Sequence, residues 1–163
     1  MKNLKPLLIL LAIVIFNGCS SSDDEKPITE KNVTILVTLD GDYSDYLVNF
    51  SVHSMLSGKS DFIAPVLVEP STEWTQIISQ GNAYNLTLTP IAPQIEAKSS
   101  SKIHSLGFVF NAVHGGSSPS DDFTPLTATI QVLADGIEIK SYSYTAMPAG
   151  QTSVPLAENI SVN

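Results

Sequence analysis

The chain has 163 residues with eight lysines, no arginine and sixteen acidic residues, a formal net charge of −8 at pH 7. Without arginine there is no guanidinium fork to grip phosphate or carboxylate in a bidentate way. So acidic a chain also lacks the basic surface that neutralises a nucleic-acid backbone, so nucleic acid is excluded as a partner.

In chain order, Met1-Lys2-Asn3-Leu4-Lys5 forms a short basic segment, and "PLLILLAIVIF" an apolar run ending at Phe16. A basic region, an apolar core and a small-residue processing site follow the order of a secretory signal. The run is shorter than the roughly 20 apolar residues a transmembrane helix needs. It ends in "FNGC", and Cys19 is the only cysteine. A lone thiol in an exported chain cannot form an internal disulfide and calls for another fate. "FNGC" resembles the lipobox of bacterial lipoproteins, although Asn17 stands where Ala or Ser is commoner. The resemblance implies that residues 1–18 are a signal peptide, cut just before Cys19. The Cys19 thiol would take a diacylglycerol and the new amino terminus a further acyl chain such as palmitate. Several chains, each adding about 0.8 kcal/mol per buried methylene, would give stable anchoring.

"SSSDDEK" places Asp23, Asp24 and Glu25 just beyond that cysteine. This resembles the acidic surface-export signal of lipoproteins from Bacteroidota-type bacteria, which implies an outer-membrane protein facing the exterior. A periplasm-facing anchor is the alternative. Composition alone reads residues 19–31 as a solvated tether, because Ser and Asp bury too little apolar surface to fold.

From Asn32 the pattern has a period of two, the mark of half-buried strands. "NVTILVTLD" sets Val33, Ile35, Val37 and Leu39 on one face, and "DYLVNFSVHSM" does the same with Tyr46, Val48, Phe50 and Val52. In "DFIAPVLVEP", Pro65 confines a shorter strand to an edge or a bulge. "STEWTQIISQ" is the one segment with room for a turn or two of helix. "NAYNLTLTP" alternates again through Tyr84, Leu86 and Leu88. "SKIHSLGFVFNAVH" is expected to be the longest strand. It carries Leu106, Phe108 and Phe110 on one side and Ile103, Val109 and Val113 on the other, so it should be central and covered on both faces.

"LTATIQVLADGIEIKSYSYTA" contains Asp135-Gly136, a two-residue hairpin signal, because both central residues of a type I′ turn need positive φ. An unbroken ladder pairs Ala134 with Ile137, Val132 with Ile139 and Ile130 with Ser141. The other face then pairs Leu133 with Glu138, Thr129 with Tyr142 and Thr127 with Tyr144, which puts both tyrosines outside. "TSVPLAENISV" makes a last strand. Seven to nine short strands over residues 32–163 predict an all-β, antiparallel two-sheet sandwich of immunoglobulin-like or fibronectin-like topology. A small up-and-down barrel of lipocalin type is the alternative.

Candidate chemistry is thin. His104 and His114 would stand about 33 Å apart on one continuous strand, and no two of the three histidines have local metal spacing. Asp40, Asp42 and Asp45 in "DGDYSD" offer oxygen ligands, but Ser51 stands where an EF-hand needs glutamate. Asp121 and Asp122 complete such a site only if the fold brings the loops together. No G-x-S-x-G elbow occurs. Tyr142, Tyr144 and Trp74 could stack on a sugar or anchor a protein if exposed, whereas Tyr–Thr pairs across the hairpin also simply stabilise a sheet. The sequence therefore reads as a non-catalytic, lipid-anchored binding or structural module with no cofactor. Its partners would be the membrane and a protein or glycan at the cell surface. The alternative is a small secreted hydrolase or a metal-dependent enzyme.

Overall fold

Alternation turns directly into sheet. In β1 (Val33–Asp40), Val33, Ile35, Val37 and Leu39 are buried while the residues between them face outward. β2 (Tyr46–Ser57) does the same with Tyr46, Val48, Phe50 and Val52, none of which has accessible surface. The computed structural model describes residues 27–58, 61–71, 74–77, 82–116 and 124–162. Cys19, Asp23, Asp24, Glu25, Asp121 and Asp122 lie outside the described residues.

The remaining strands are β3 (Asp61–Phe62), β4 (Pro65–Glu69), β5 (Thr75–Ile77), β6 (Ala83–Leu88), β7 (Gln94–Ser99), β8 (Ser105–His114), β9 (Thr127–Ala134), β10 (Ile137–Thr145) and β11 (Leu156–Ser161). One sheet runs β10-β9-β1-β7-β4 and the other β11-β8-β2-β6-β5, with β3 added to β2, and every pairing is antiparallel. The sheets do not close on each other, so the fold is a sandwich and not a barrel. The edge strand β4 begins at Pro65 and carries a bulge between Leu67 and Glu69, a position that tolerates a residue without an N–H.

Four local expectations are corrected. Thr75–Ile77 of "STEWTQIISQ" is strand, paired with β6. Its β-branched residues suit an edge strand, and Trp74 packs on Phe50 with ring centroids 5.6 Å apart. The longest strand is β2, with twelve residues, not β8, with ten. β8 packs on one face only: Phe108 and Phe110 are fully buried, whereas Val113 on the other face is 45% exposed. Ile103, expected on that outer face, precedes the strand and is buried where its backbone bridges Lys31.

The hairpin shows the largest departure. Its turn is as expected: Asp135 has φ 49° and Gly136 φ 81°, and Ala134 faces Ile137 and Leu133 faces Glu138. Then a bulge intervenes, and Lys140, not Ile139, pairs with Val132. An extra residue in one strand inverts its side-chain alternation relative to its partner. Tyr142 therefore faces Ile130, and Tyr144 faces Ala128, both core positions. The outward tyrosine face does not exist. Tyr144 is only 6% exposed, with its ring 5.0 Å from Phe110, and Tyr142 packs edge-on against Phe108 at 5.6 Å.

The Tyr144 hydroxyl also completes a ladder. β11 stops pairing with β8 at Leu156–Phe110. Two residues on, the Ala112 N–H donates to the Tyr144 hydroxyl at 3.0 Å, and that hydroxyl donates to Asn111 Oδ1 at 3.0 Å. A phenol thus takes the place of a missing strand carbonyl. Tyr142 seals the flank where the edge strands β10 and β11 meet. Burial, reinforced by the Glu158 carboxylate that it hydrogen-bonds, raises the Tyr142 phenol pKa above its ordinary value.

Two substitutions test this account. A β-carbon at Gly136 would meet nothing within 4 Å, so Gly136→Val adds backbone strain without a clash. It should lower unfolding free energy by about 1–3 kcal/mol in a denaturant titration, and an unchanged midpoint would contradict the turn geometry. Tyr144→Phe keeps the ring but leaves the Ala112 N–H without its acceptor, and should cost about 1–3 kcal/mol in the same titration. Wild-type stability in that variant would mean the hydroxyl has no part in the ladder.

Candidate functional site

The chain enters the sandwich at a fixed point. The Lys31 and Ile103 backbones exchange two hydrogen bonds of 2.9 Å. Asn32 donates from its backbone N–H to Asp135 Oδ1 at 3.1 Å, and the Asp135 N–H donates back to the Asn32 carbonyl at 2.8 Å. The Gly58 N–H donates to the Glu30 carboxylate. This near end therefore gathers the hairpin turn, the β2–β3 turn and the 100–104 segment around the N-terminal chain.

β1 then runs about 25 Å, at roughly 3.3 Å per residue, to the opposite end. The antiparallel registers bring the β1–β2, β6–β7, β8–β9 and β10–β11 connections together there, along with the segment after β4. Asp42 ties two of them: its N–H donates to the Thr124 carbonyl at 3.0 Å, and its Oδ2 accepts from the Thr124 N–H at 2.7 Å. The Leu39 N–H donates to the Pro93 carbonyl at 2.7 Å, which fastens the β6–β7 loop to the end of β1.

That loop reads Pro90-Ile91-Ala92-Pro93. Ile91 is 92% exposed, and beside it lies a cavity of about 200 Å³, lined chiefly by Pro70, Leu88, Pro90, Ala92 and Ile95. Both prolines set φ and withhold a donor, so the loop presents an aliphatic side chain on restrained backbone. Strand alternation alone does not mark this loop. An isoleucine two residues from a proline on one side, in a turn between alternating strands, is the signal that could have found it.

Carboxylates occur at both ends, whereas the described lysines keep to one. Among the described residues the lysines are Lys31, Lys98, Lys102 and Lys140, and all lie in the half nearer the N-terminal end: Lys98 pairs with Thr34, and Lys140 with Val132. The far end carries Asp40, Asp42 and Asp45, and Glu69 adjoins Pro70. Lys98 pairs with Glu96 at 2.8 Å, which neutralises charge on the near side.

The residues singled out from sequence do not converge. Trp74 and Tyr142 belong to opposite flanks of the core rather than to one outer face. The indole Nε1 of Trp74 is buried without a hydrogen-bond partner. His53 sits on the outer face of β2 across from Gly107, so close that a β-carbon on Gly107 would lie 2.2 Å from the ring. His114 stacks edge-on against Tyr46 at 5.1 Å, and His104 stands apart, just before β8. Among the described residues no three His, Cys, Asp or Glu side chains gather as metal ligands. The Asp40 carboxylate accepts from the Gly41 N–H at 2.9 Å, an ordinary turn contact.

The outer face of the second sheet carries a polar ladder. Ser51 Oγ donates to Asn85 Oδ1 at 2.6 Å, Asn85 Nδ2 to Thr87 Oγ1 at 2.9 Å, and Thr87 Oγ1 to Asn49 Oδ1 at 2.8 Å. These groups satisfy one another, which fits cross-strand stabilisation.

No protein-family model matches the chain, and no curated protein matches it. Solved structures do resemble it. A DUF4425 family protein from Bacteroides ovatus superposes with a TM-score of 0.54 at 15% identity, covering 82% of this chain and 95% of that one. A domain of unknown function, DUF4425, from Bacteroides vulgatus gives 0.55 at 10% identity, covering 83% and 98%. A protein from Parabacteroides distasonis, solved by NMR in its calcium-bound form, gives 0.54 at 13% identity, covering 85% and 98%. At these identities the likeness is one of fold, and the sandwich is an architecture found in proteins of Bacteroidota.

Proposed function

We propose that this chain is a lipid-anchored envelope protein, held by acylated Cys19 at the outer face of the outer membrane, whose sandwich acts by binding rather than by catalysis. The observation that carries this reading is the order of its first 25 residues: basic segment, apolar run, Gly18-Cys19, then serines and Asp23, Asp24 and Glu25. The origin of the structural neighbours supports it, since they come from bacteria of the kind whose export signal the acidic run resembles. A fixed point of chain entrance at one end of a rigid sandwich also suits an anchored module. It leaves the loops of the far end to meet a partner.

Mass spectrometry of protein purified from membranes should show an acylated species beginning at Cys19. Protease added to intact cells should remove the domain, and Cys19→Ala should abolish anchoring. A soluble, unmodified chain starting elsewhere would refute the anchor. Digestion only after the outer membrane is broken would favour the periplasmic face.

A second reading is that the acidic loop at the far end takes calcium. The Parabacteroides neighbour was solved in a calcium-bound form, and this chain spaces Asp40, Asp42 and Asp45 within six residues of sequence, with Asp42 bonded to Thr124. Carboxylate and carbonyl oxygens in an irregular loop suit this hard cation. Titration with calcium should shift the amide resonances of Asp40–Asp45 and raise the melting temperature, and Asp42→Asn should remove both effects. Unmoved spectra at millimolar calcium would sink this reading.

A further inference from the structure

Resting on the reading of the sandwich as a binding module, we propose that the far-end groove beside Ile91 docks a basic segment of a partner protein through one apolar side chain. Three observations converge on that groove. Ile91 is 92% exposed, yet its loop is held by two prolines and by the 2.7 Å hydrogen bond from the Leu39 N–H to the Pro93 carbonyl. Little ordering entropy is lost when such a loop binds. The cavity next to it, at about 200 Å³, is several times the ~30 Å³ that a water occupies in the liquid. Its lining is chiefly proline, leucine, isoleucine and alanine, which suits an apolar side chain.

The charge around the groove selects the occupant. Asp40 ends the strand to which the loop is fastened, Asp45 follows in the same connection, and Glu69 precedes Pro70 in the groove wall. All four lysines of the described residues lie in the other half of the molecule. An acidic rim with no lysine beside it among the described residues attracts lysine or arginine, steers their approach, and opposes acidic partners. It opposes a second copy of this chain, which would bring the same acids to the same place. It also opposes an anionic lipid surface. A basic protein segment with an exposed aliphatic or aromatic side chain satisfies both the groove and its rim.

The test uses the full chain, with chelator present so that cation binding by the Asp40–Asp45 loop does not enter. A short peptide alternating lysine with leucine is titrated while backbone amides are followed by NMR. Its lysine–serine and glutamate–leucine counterparts serve as comparisons. The lysine–leucine peptide should shift the amides of residues 89–95 and 40–45. Ile91→Ser should weaken it by about tenfold or more. Ile137→Ser, which removes another exposed isoleucine at the opposite end, should leave affinity unchanged. Asp40→Asn with Asp45→Asn should flatten the salt dependence. The proposal is overturned if the shifts centre on residues 99–105 and 135–138, or if the glutamate–leucine peptide binds as well. It is equally overturned if Ile91→Ser instead abolishes self-association or binding to phosphatidylcholine vesicles. Binding on another face would defeat this inference and leave the binding module standing. An unmodified Cys19 would defeat the anchor and leave the groove untouched.

Discussion

The two sheets bring unequal side chains to one core, and most of the architecture follows from filling that space. The second sheet presents rings: Tyr46, Phe50, Phe108 and Phe110, all fully buried. The first presents Val33, Ile35, Val37, Ala97, Ala128, Ile130, Val132 and Ala134, mostly small aliphatics. Interiors pack at the density of organic crystals, so rings opposite alanines would leave voids. Tyr142 and Tyr144 fill that space from the edge strand β10, edge-on against Phe108 and Phe110. A strand has only two faces, and an unbroken hairpin would have turned both tyrosines outward. One unpaired residue near Ile139 reverses them. Each ring removes some 150–250 Å² from water, worth several kcal/mol at about 25 cal/mol per Å². A single interrupted ladder position costs less than that.

This explains what was legible in the sequence and what was not. Alternation placed β1, β2 and β6, and Asp135-Gly136 placed the turn, because those signals are carried by neighbouring residues. The bulge is decided elsewhere. Nothing between Ile137 and Tyr144 reports that Ala128, 16 residues before Tyr144, and Phe110, 34 residues before it, leave a gap to fill, so a local register argument could only extend the ladder unbroken. β8 misled for a related reason. Val109 and Val113 look like a second core face, but no layer covers that side, and they stay partly exposed beside Asn111. The candidate site was hidden in the same way. Pro90-Ile91-Ala92-Pro93 is an unremarkable turn on paper, and its position beside Pro70 depends on β7 pairing with both β1 and β4.

Polar groups inside the sandwich show how its open flanks are managed. Tyr144 supplies an acceptor where β11 ends, and Tyr142 meets Glu158 where the two sheets' edges approach. Both phenols use an apolar body and a polar tip, the combination that suits a boundary between core and water. On the opposite flank, Trp74 covers Phe50 with a buried, unpartnered indole N–H. That flank is the side on which the Pro70–Ile95 cavity opens. Two phenols with polar partners stitch one flank, whereas the other retains the apolar groove beside Pro70.

The same directionality sorts the connections into two surfaces. Antiparallel strands force the connections into two groups, one at each end, and the N-terminal chain is bound into the near group through Glu30, Lys31 and Asn32. Those contacts make the near end the one that a lipid on Cys19 would hold toward a membrane. The described lysines share that end with Glu30, Asp135 and Glu138, and the acids of the β1–β2 loop are carried about 25 Å away. In 0.15 M salt the Debye length is only about 8 Å, so the two ends act as electrostatically separate surfaces. A partner arriving from solution would then meet the acidic end with its exposed Ile91, and the membrane would meet the end with the lysines. Strand direction, rather than any single residue, therefore sets which chemistry gathers at which end.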